Sequence, residues 1–243
     1  MLEQLTQIGY EIECTNHSQA ILERDFQDQL DEIEAALSTF RLTSLELIEG
    51  GGGEAPFTQR LRREISKYGW LKHNFTITKT VDGDEKESIS HEIDHVRATA
   101  NGTLALEIEW NNKSEFYDRD LENFKRLHAE GVFSVAILVT RGQTFQDNVL
   151  NIVSALADAN SINSFADLEK FENYDPSRKF KDAVNHAAAK NNARFREVWV
   201  KRFVSSKYAA TTTHWNKLQE RIRRGVGSPC PMLLIGIPST IIT

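Results

Sequence analysis

Across residues 18–40 the apolar positions Ile21, Leu22, Phe26, Leu30, Ile33, Leu37 and Phe40 recur at three- and four-residue steps. That spacing predicts one amphipathic helix with Ser18 as its N-cap. Over 57–68, Leu61, Ile65 and Tyr68 form a second helical stripe, with Arg60, Arg62 and Arg63 facing elsewhere. Beyond Gly69 the period changes to two. Phe75, Ile77 and Lys79 alternate with Asn74, Thr76 and Thr78, and Asp82-Gly83 reads as a turn into a second strand over 89–96. The alternation is clearest over 103–110, where Leu104, Leu106, Ile108 and Trp110 line one face and Ala105, Glu107 and Glu109 the other.

A helical pattern over 116–129 and a buried-looking strand over 132–140, ended by Arg141-Gly142, predict a right-handed βαβ crossover. Helices over 144–157, 177–191 and 212–223, with strands over 195–203 and 232–237, complete the expected fold. It is α/β, a mixed central β-sheet flanked by helices on both faces. The four glycines at 50–53 lack the following Gly-Lys-Ser/Thr of a phosphate-binding loop, so they read as a flexible connection. No Pro/Ser-rich linker divides the chain. One domain over 1–243 is expected, with a helical part at about 1–55, a core at about 56–145, and a basic helical part with a late core strand at about 146–243.

With 40% hydrophobic and 26% charged residues in 243, the chain has the balance of a globular protein long enough to bury a full core, which excludes disorder and mini-protein scaffolds. The longest apolar stretch near the C-terminus, Met232–Ile237, is far short of the roughly 20 residues that span a bilayer. The polar, acidic N-terminus lacks a signal-peptide pattern, so a cytoplasmic protein with no membrane partner is expected. Two cysteines, Cys14 and Cys230, are too few for a disulfide framework and read as reduced. The net charge of -6 argues against indiscriminate coating of nucleic acid. Its distribution is uneven, because residues 1–170 hold 16 Lys and Arg against 30 Asp and Glu, and residues 171–225 hold 13 against 5. The latter stretch can supply a basic face or simply a solvated helical surface.

Three carboxylates draw the chemistry together. If 89–96 and 103–110 are antiparallel neighbours joined at Asn101-Gly102, Asp94 lies beside the Glu107 and Glu109 face. Such a cluster repels itself unless protonated or neutralised by a cation, and hard oxygen ligands suit Mg²⁺. The competing reading is a solvent-facing acidic side of a half-exposed strand. A second motif overlaps: His91-Glu92-Ile93-Asp94-His95 fits HExxH, which on a helix would bind Zn²⁺ with Glu115 as a distant third ligand, as in a metalloprotease. The flanking Ser88-Ile89-Ser90 and Ala100-Asn101-Gly102 fit a strand and turn, which leaves the histidines as hydrogen-bonded neighbours of the acidic cluster.

The segments His91-Glu-Ile-Asp94-His-Val, Leu104-Ala-Leu-Glu107-Ile-Glu109-Trp-Asn-Asn112-Lys-Ser114 and Phe133-Ser-Val-Ala-Ile-Leu-Val-Thr-Arg-Gly142 resemble the core of type II restriction endonucleases of the BglII/BamHI kind. These belong to the PD-(D/E)xK nuclease superfamily, and Pro231-Met-Leu-Leu-Ile-Gly-Ile237 is similar to a late core strand there. The resemblance spans most of 60–145. It implies a restriction-endonuclease-like core, double-stranded DNA as substrate, Mg²⁺ as cofactor and a homodimer cutting a palindromic site. Asp94, Glu107 and the Ile108 carbonyl would hold the metal. Glu109 stands where most of the superfamily has Lys, and agrees with the BamHI-like variant that has Glu. The resemblance further implies DNA contacts by Asn112, Lys113 and Ser114. Arg60, Arg63, Gln143, Thr144 and Asn148 are additional candidates for DNA, and Glu64 and His91 for an outer position around the metal. A repair or structure-specific nuclease with the same core, and a silent DNA-binding module, are the other readings.

Overall fold

The computed structural model describes residues 1–49, 54–171 and 173–243, so the expected connection at 50–53 lies outside the described residues. In chain order the elements are α1 (Glu3–Ile8), β1 (Glu11–Thr15), α2 (Ser18–Asp25), α3 (Gln27–Ser38), α4 (Ser44–Ile48), α5 (Pro56–Ser66), β2 (Leu71–Val81), β3 (Asp84–Thr99), β4 (Gly102–Glu109), α6 (Phe116–Ala129), β5 (Val135–Arg141), α7 (Gln143–Ala159), α8 (Arg178–Asn191), α9 (Phe195–Lys207), α10 (Trp215–Arg223) and β6 (Met232–Ile237). The strands form one mixed sheet in the order β1-β6-β5-β4-β3-β2.

Its centre is parallel: β4 pairs with β5 and β5 with β6 in the same direction. Every residue of β5 and β6 is buried, as strands covered on both faces require. Alternation then splits each strand between two cores. Leu104, Leu106, Ile108, Val135, Ile137, Val139, Leu233 and Ile235 meet apolar residues of α3, α5, α7 and α9 on one side. Ala105, Ala136, Leu138 and Leu234 meet Tyr117, Leu121, Phe124 and Leu127 of α6 and Leu218 of α10 on the other. The β4–α6–β5 crossover stands where the periodicity places it.

Three local expectations are corrected. The single helix over 18–40 is two helices broken at Phe26, whose φ of -136° leaves the helical region and whose ring is buried. The break lets α2 lie against β1 and β6 while α3 packs on α1 and α5. Ser18 is the first residue of α2 rather than its cap; His17 holds the cap position, and Ser18 Oγ donates to the Met232 carbonyl at 2.7 Å. The strand expected over 195–203 is part of α9. Phe195, Trp199 and Phe203 recur at four-residue steps, a helical period that outweighs the β propensity of Val198, Val200 and Val204.

Candidate active site

The β3–β4 ladder runs from Thr99↔Gly102 to His95↔Leu106, and its paired residues stop there. The next backbone group, the Asp94 N–H, donates to Glu107 Oε1 at 3.2 Å. A carboxylate thus takes the place of the next rung. The β2–β3 register slips at the same point: Leu71 faces Val96 but His73 faces Ile93, so Lys72 is set against both Asp94 and His95. Such a bulge re-aims side chains. Ile93 and Val96, three residues apart, accordingly pack on the same side of the sheet. Asp94, Glu107 and Glu109 line one cleft of about 1220 Å³, which reaches from the ends of β3 and β4 to Arg62 of α5, Arg119 of α6 and Lys207 of α9.

The half-exposed acidic strand is not what forms. Glu107 and Glu109 are 6% and 4% exposed. Burial, and then the charge of Asp94, pushes the Glu107 carboxyl well above its ordinary range. Burial followed by the charge of Asp120 raises the Glu109 carboxyl from its ordinary range to about 8. Asn112 Nδ2 donates to Glu109 Oε2 at 2.7 Å, and Arg119 Nη2 stands 3.6 Å from Glu109 Oε1. Arg119 also pairs with Asp120 at 2.7 Å, and the Asp120 and Glu109 carboxyls stand within hydrogen-bonding reach of each other. Asp94 has its own cations: Arg62 Nη2 at 3.3 Å and Lys72 Nζ at 3.8 Å from Oδ1.

The segment after β4 is docked onto residues 209–213. Thr213 N donates to the Asn112 carbonyl at 2.8 Å and Ser114 N to the Thr211 carbonyl at 2.9 Å. Lys113 pairs through its backbone with Thr212 and its side chain is exposed. Ser114 is buried, and its hydroxyl accepts from Arg221 Nη2 at 3.4 Å. The N-cap of α6 is Glu115, without a side-chain capping bond, so neither Asn112 nor Ser114 caps the helix.

Asn112 and His91 line the cleft with the carboxylates. Gln143 and Thr144 do not; they form the first turn of α7, where both backbone N–H groups donate to Glu11 Oε1. Asn148 donates to the Thr144 carbonyl and to Ser239. Glu64 pairs with Lys67 at 2.6 Å on the outside of α5, and Arg60 pairs with Glu46. Arg62, Lys72, Arg119 and Asp120 are site residues that sequence reading missed. Asp120 had a signal: at three residues after Tyr117 and four before Phe124, it is a carboxylate on the buried stripe of α6.

The HExxH reading fails on geometry. His91 and His95 lie in β3, where four residues of strand span about 13 Å, too far to share one ion. His95 Nδ1 lies 3.3 Å from the Leu106 carbonyl, and burial lowers its pKa to about 4.

A mixed six-stranded sheet flanked by helices, with carboxylates at the end of a central strand, is consistent with the restriction-endonuclease fold. The chain belongs to the family described as "Restriction endonuclease BglII/BglIII", which matches residues 10–237. No curated protein matches it. It is therefore a DNA endonuclease, of a family generally dependent on a divalent metal.

The donor set fits such an ion. Among the described residues no group of three His, Cys, Asp or Glu side chains forms a ready-made metal cage. Mg²⁺ does not require one, because it keeps several waters and takes one or two carboxylates together with substrate phosphate. Asp94 and the buried Glu107 offer two carboxylates to one cleft, and the Asp94 N–H donates to Glu107 Oε1.

Proposed function

We propose that the chain is one type II restriction endonuclease domain that hydrolyses double-stranded DNA at a short palindromic site. It acts in the cytoplasm as a Mg²⁺-dependent homodimer. The observation that carries this reading is the 3.2 Å contact between the Asp94 N–H and Glu107 Oε1, which brings two carboxylates from antiparallel strands to one cleft. Asp94, Glu107 and the Ile108 carbonyl would hold Mg²⁺. Held there, a divalent ion would supply activation of a water and compensation of charge at the scissile phosphate. Glu109 orients or deprotonates the attacking water, and Asn112 fixes the Glu109 carboxylate through its amide.

Asn112 and Lys113 stand at the same end of β4 as the carboxylates, so DNA in the cleft meets them. Asn can bond adenine through two groups in the major groove, and Lys113 supplies a phosphate contact. Buried Ser114 supports this segment through Arg221, and Gln143 and Thr144 contact DNA only where it extends to the start of α7. His91, which lines the same cleft, would stand in an outer position around the metal. A two-fold dimer matches a palindrome and cuts one strand per subunit.

The test is digestion of unmethylated phage DNA with Mg²⁺, beside EDTA and Glu107→Ala controls. Discrete Mg²⁺-dependent bands lost in Glu107→Ala support the reading, and sequencing of the ends supplies the site. Intact DNA under every condition overturns it.

A further inference from the structure

Arg62 is the one guanidinium within hydrogen-bond distance of Asp94 among the described residues. Its Nη2 reaches Asp94 Oδ1 at 3.3 Å while its Nη1 reaches Glu54 Oε2 at 2.8 Å. Lys72 approaches the same Oδ1, but its closer partner is Glu92 at 2.6 Å. The stem of Arg62 is anchored, because α5 is held in the core by Phe57, Leu61 and Ile65. The head is adjustable, since 28% of the side chain is exposed and it lines the cleft. A guanidinium and a divalent ion are alternative counter-ions for one carboxylate, and they repel each other at close range. A guanidinium also takes a phosphate with two parallel hydrogen bonds, the geometry it uses with carboxylates.

We propose that Arg62 is a positioning residue that occupies Asp94 in the metal-free protein and passes to a DNA phosphate when a divalent ion takes Asp94. The inference rests on the metal-site reading above. Its consequence is that Arg62 holds back metal binding in the absence of DNA. DNA relieves that hold by engaging the guanidinium, so metal and DNA each tighten the binding of the other, as reciprocal linkage requires.

Mn²⁺ binding to the full chain, followed by loss of the free-ion electron paramagnetic resonance signal, tests this without cleavage as the readout. Arg62→Gln keeps the reach and removes the charge, and Arg62→Lys keeps the charge. Without DNA, Arg62→Gln is expected to bind Mn²⁺ about tenfold tighter than the unaltered chain, as loss of a neighbouring like charge predicts, with Arg62→Lys close to the unaltered value. Sonicated duplex DNA is expected to tighten Mn²⁺ binding less in Arg62→Gln than in the unaltered chain. Mn²⁺ binding by Arg62→Gln that is unchanged or weaker, or an undiminished effect of DNA, overturns the role of Arg62 alone. Asp94→Asn separates the two ideas: if it binds Mn²⁺ as the unaltered chain does, the metal-site reading fails and the proposal with it.

Discussion

Arg141 Nε donates to the Trp110 carbonyl at 2.7 Å, one peptide beyond Glu109, and does so as a fully buried cation with no carboxylate partner among the described residues. Its other bonds go to the Thr213 carbonyl, Thr212 Oγ1 and Gln146 Oε1, and its Cζ lies 5.1 Å from the Tyr208 ring centre. Burial lowers its pKa to about 10, still charged at neutral pH. One side chain therefore ties the end of β4 to the segment on which residues 112–114 are docked. Arg141→Met leaves buried carbonyls without donors and is expected to cost about 2–4 kcal/mol, read from urea unfolding. Cleavage by the folded fraction should fall as well, because the Glu109–Asn112 geometry loses its support. Unchanged stability would show that the carbonyls find other donors.

The buried carboxylates make stability depend on pH in a definite direction. Glu109 titrates at about 8 when folded against an ordinary 4.5, and Asp120 beside it is also raised, first by burial. Between these values the folded chain binds more protons than the unfolded one, so stability falls as pH rises. His95, lowered from 6.5 to about 4, works the opposite way below pH 6.5. The decline should therefore be clearest from pH 6.5 to 8 in EDTA, at about 1 kcal/mol per pH unit. Glu109→Gln should reduce that slope, leaving the part due to Glu107. Saturating Mg²⁺ should flatten it further, since a bound cation favours the ionised carboxylates. Stability that rises over this window in EDTA would contradict the burial of these groups.

How much of this was legible in the sequence depends on how local each signal is. The strict alternation of 104–110 shows that Glu107 and Glu109 share a face, and Asn101-Gly102 brings Asp94 alongside. The depth of that face was not legible: burial comes from α6, and a period-two pattern is the same whether its polar side is covered or wet. The bulge opposite Lys72 has no sequence mark. Arg62 and Arg119 reach the carboxylates from helices far apart in the chain, so their roles follow from tertiary packing alone. The misread stretch over 195–203 is a local conflict, in which β-branched and aromatic residues favour a strand while their four-residue recurrence favours a helix.

Asp120 raises Glu109 through its negative charge, second only to burial. Asp120→Asn removes the charge and keeps the size of the side chain, so the Glu109 carboxyl should ionise at lower pH. If Glu109 acts in ionised form, the acidic limb of the kcat/KM profile at saturating Mg²⁺ should move down by about one pH unit, with little change on the plateau. A limb that stays in place would mean that ionisation of another group limits the rate.

Glu11 of β1 reaches beneath two glycines, and this contact sets the fit between β1, β6 and the start of α7. A Cβ on Gly142 would lie 2.0 Å from Glu11 Oε2 and 2.8 Å from the Ile237 carbonyl, and one on Gly236 would lie 2.6 Å from the same Oε2. The other oxygen, Oε1, accepts from the Gln143 and Thr144 amides, so the carboxylate closes the amino end of α7. Gly142→Ala should therefore destabilise the protein by about 1–3 kcal/mol, through a steric clash rather than backbone conformation. Shortening the opposing side chain should recover part of the loss. Glu11→Ala alone gives up the two amide bonds, yet the double variant Glu11→Ala/Gly142→Ala should be less destabilised than the sum of the single changes. Urea midpoints of the three proteins decide the point, and strict additivity would mean that the added methyl group finds its clash at the Ile237 carbonyl instead.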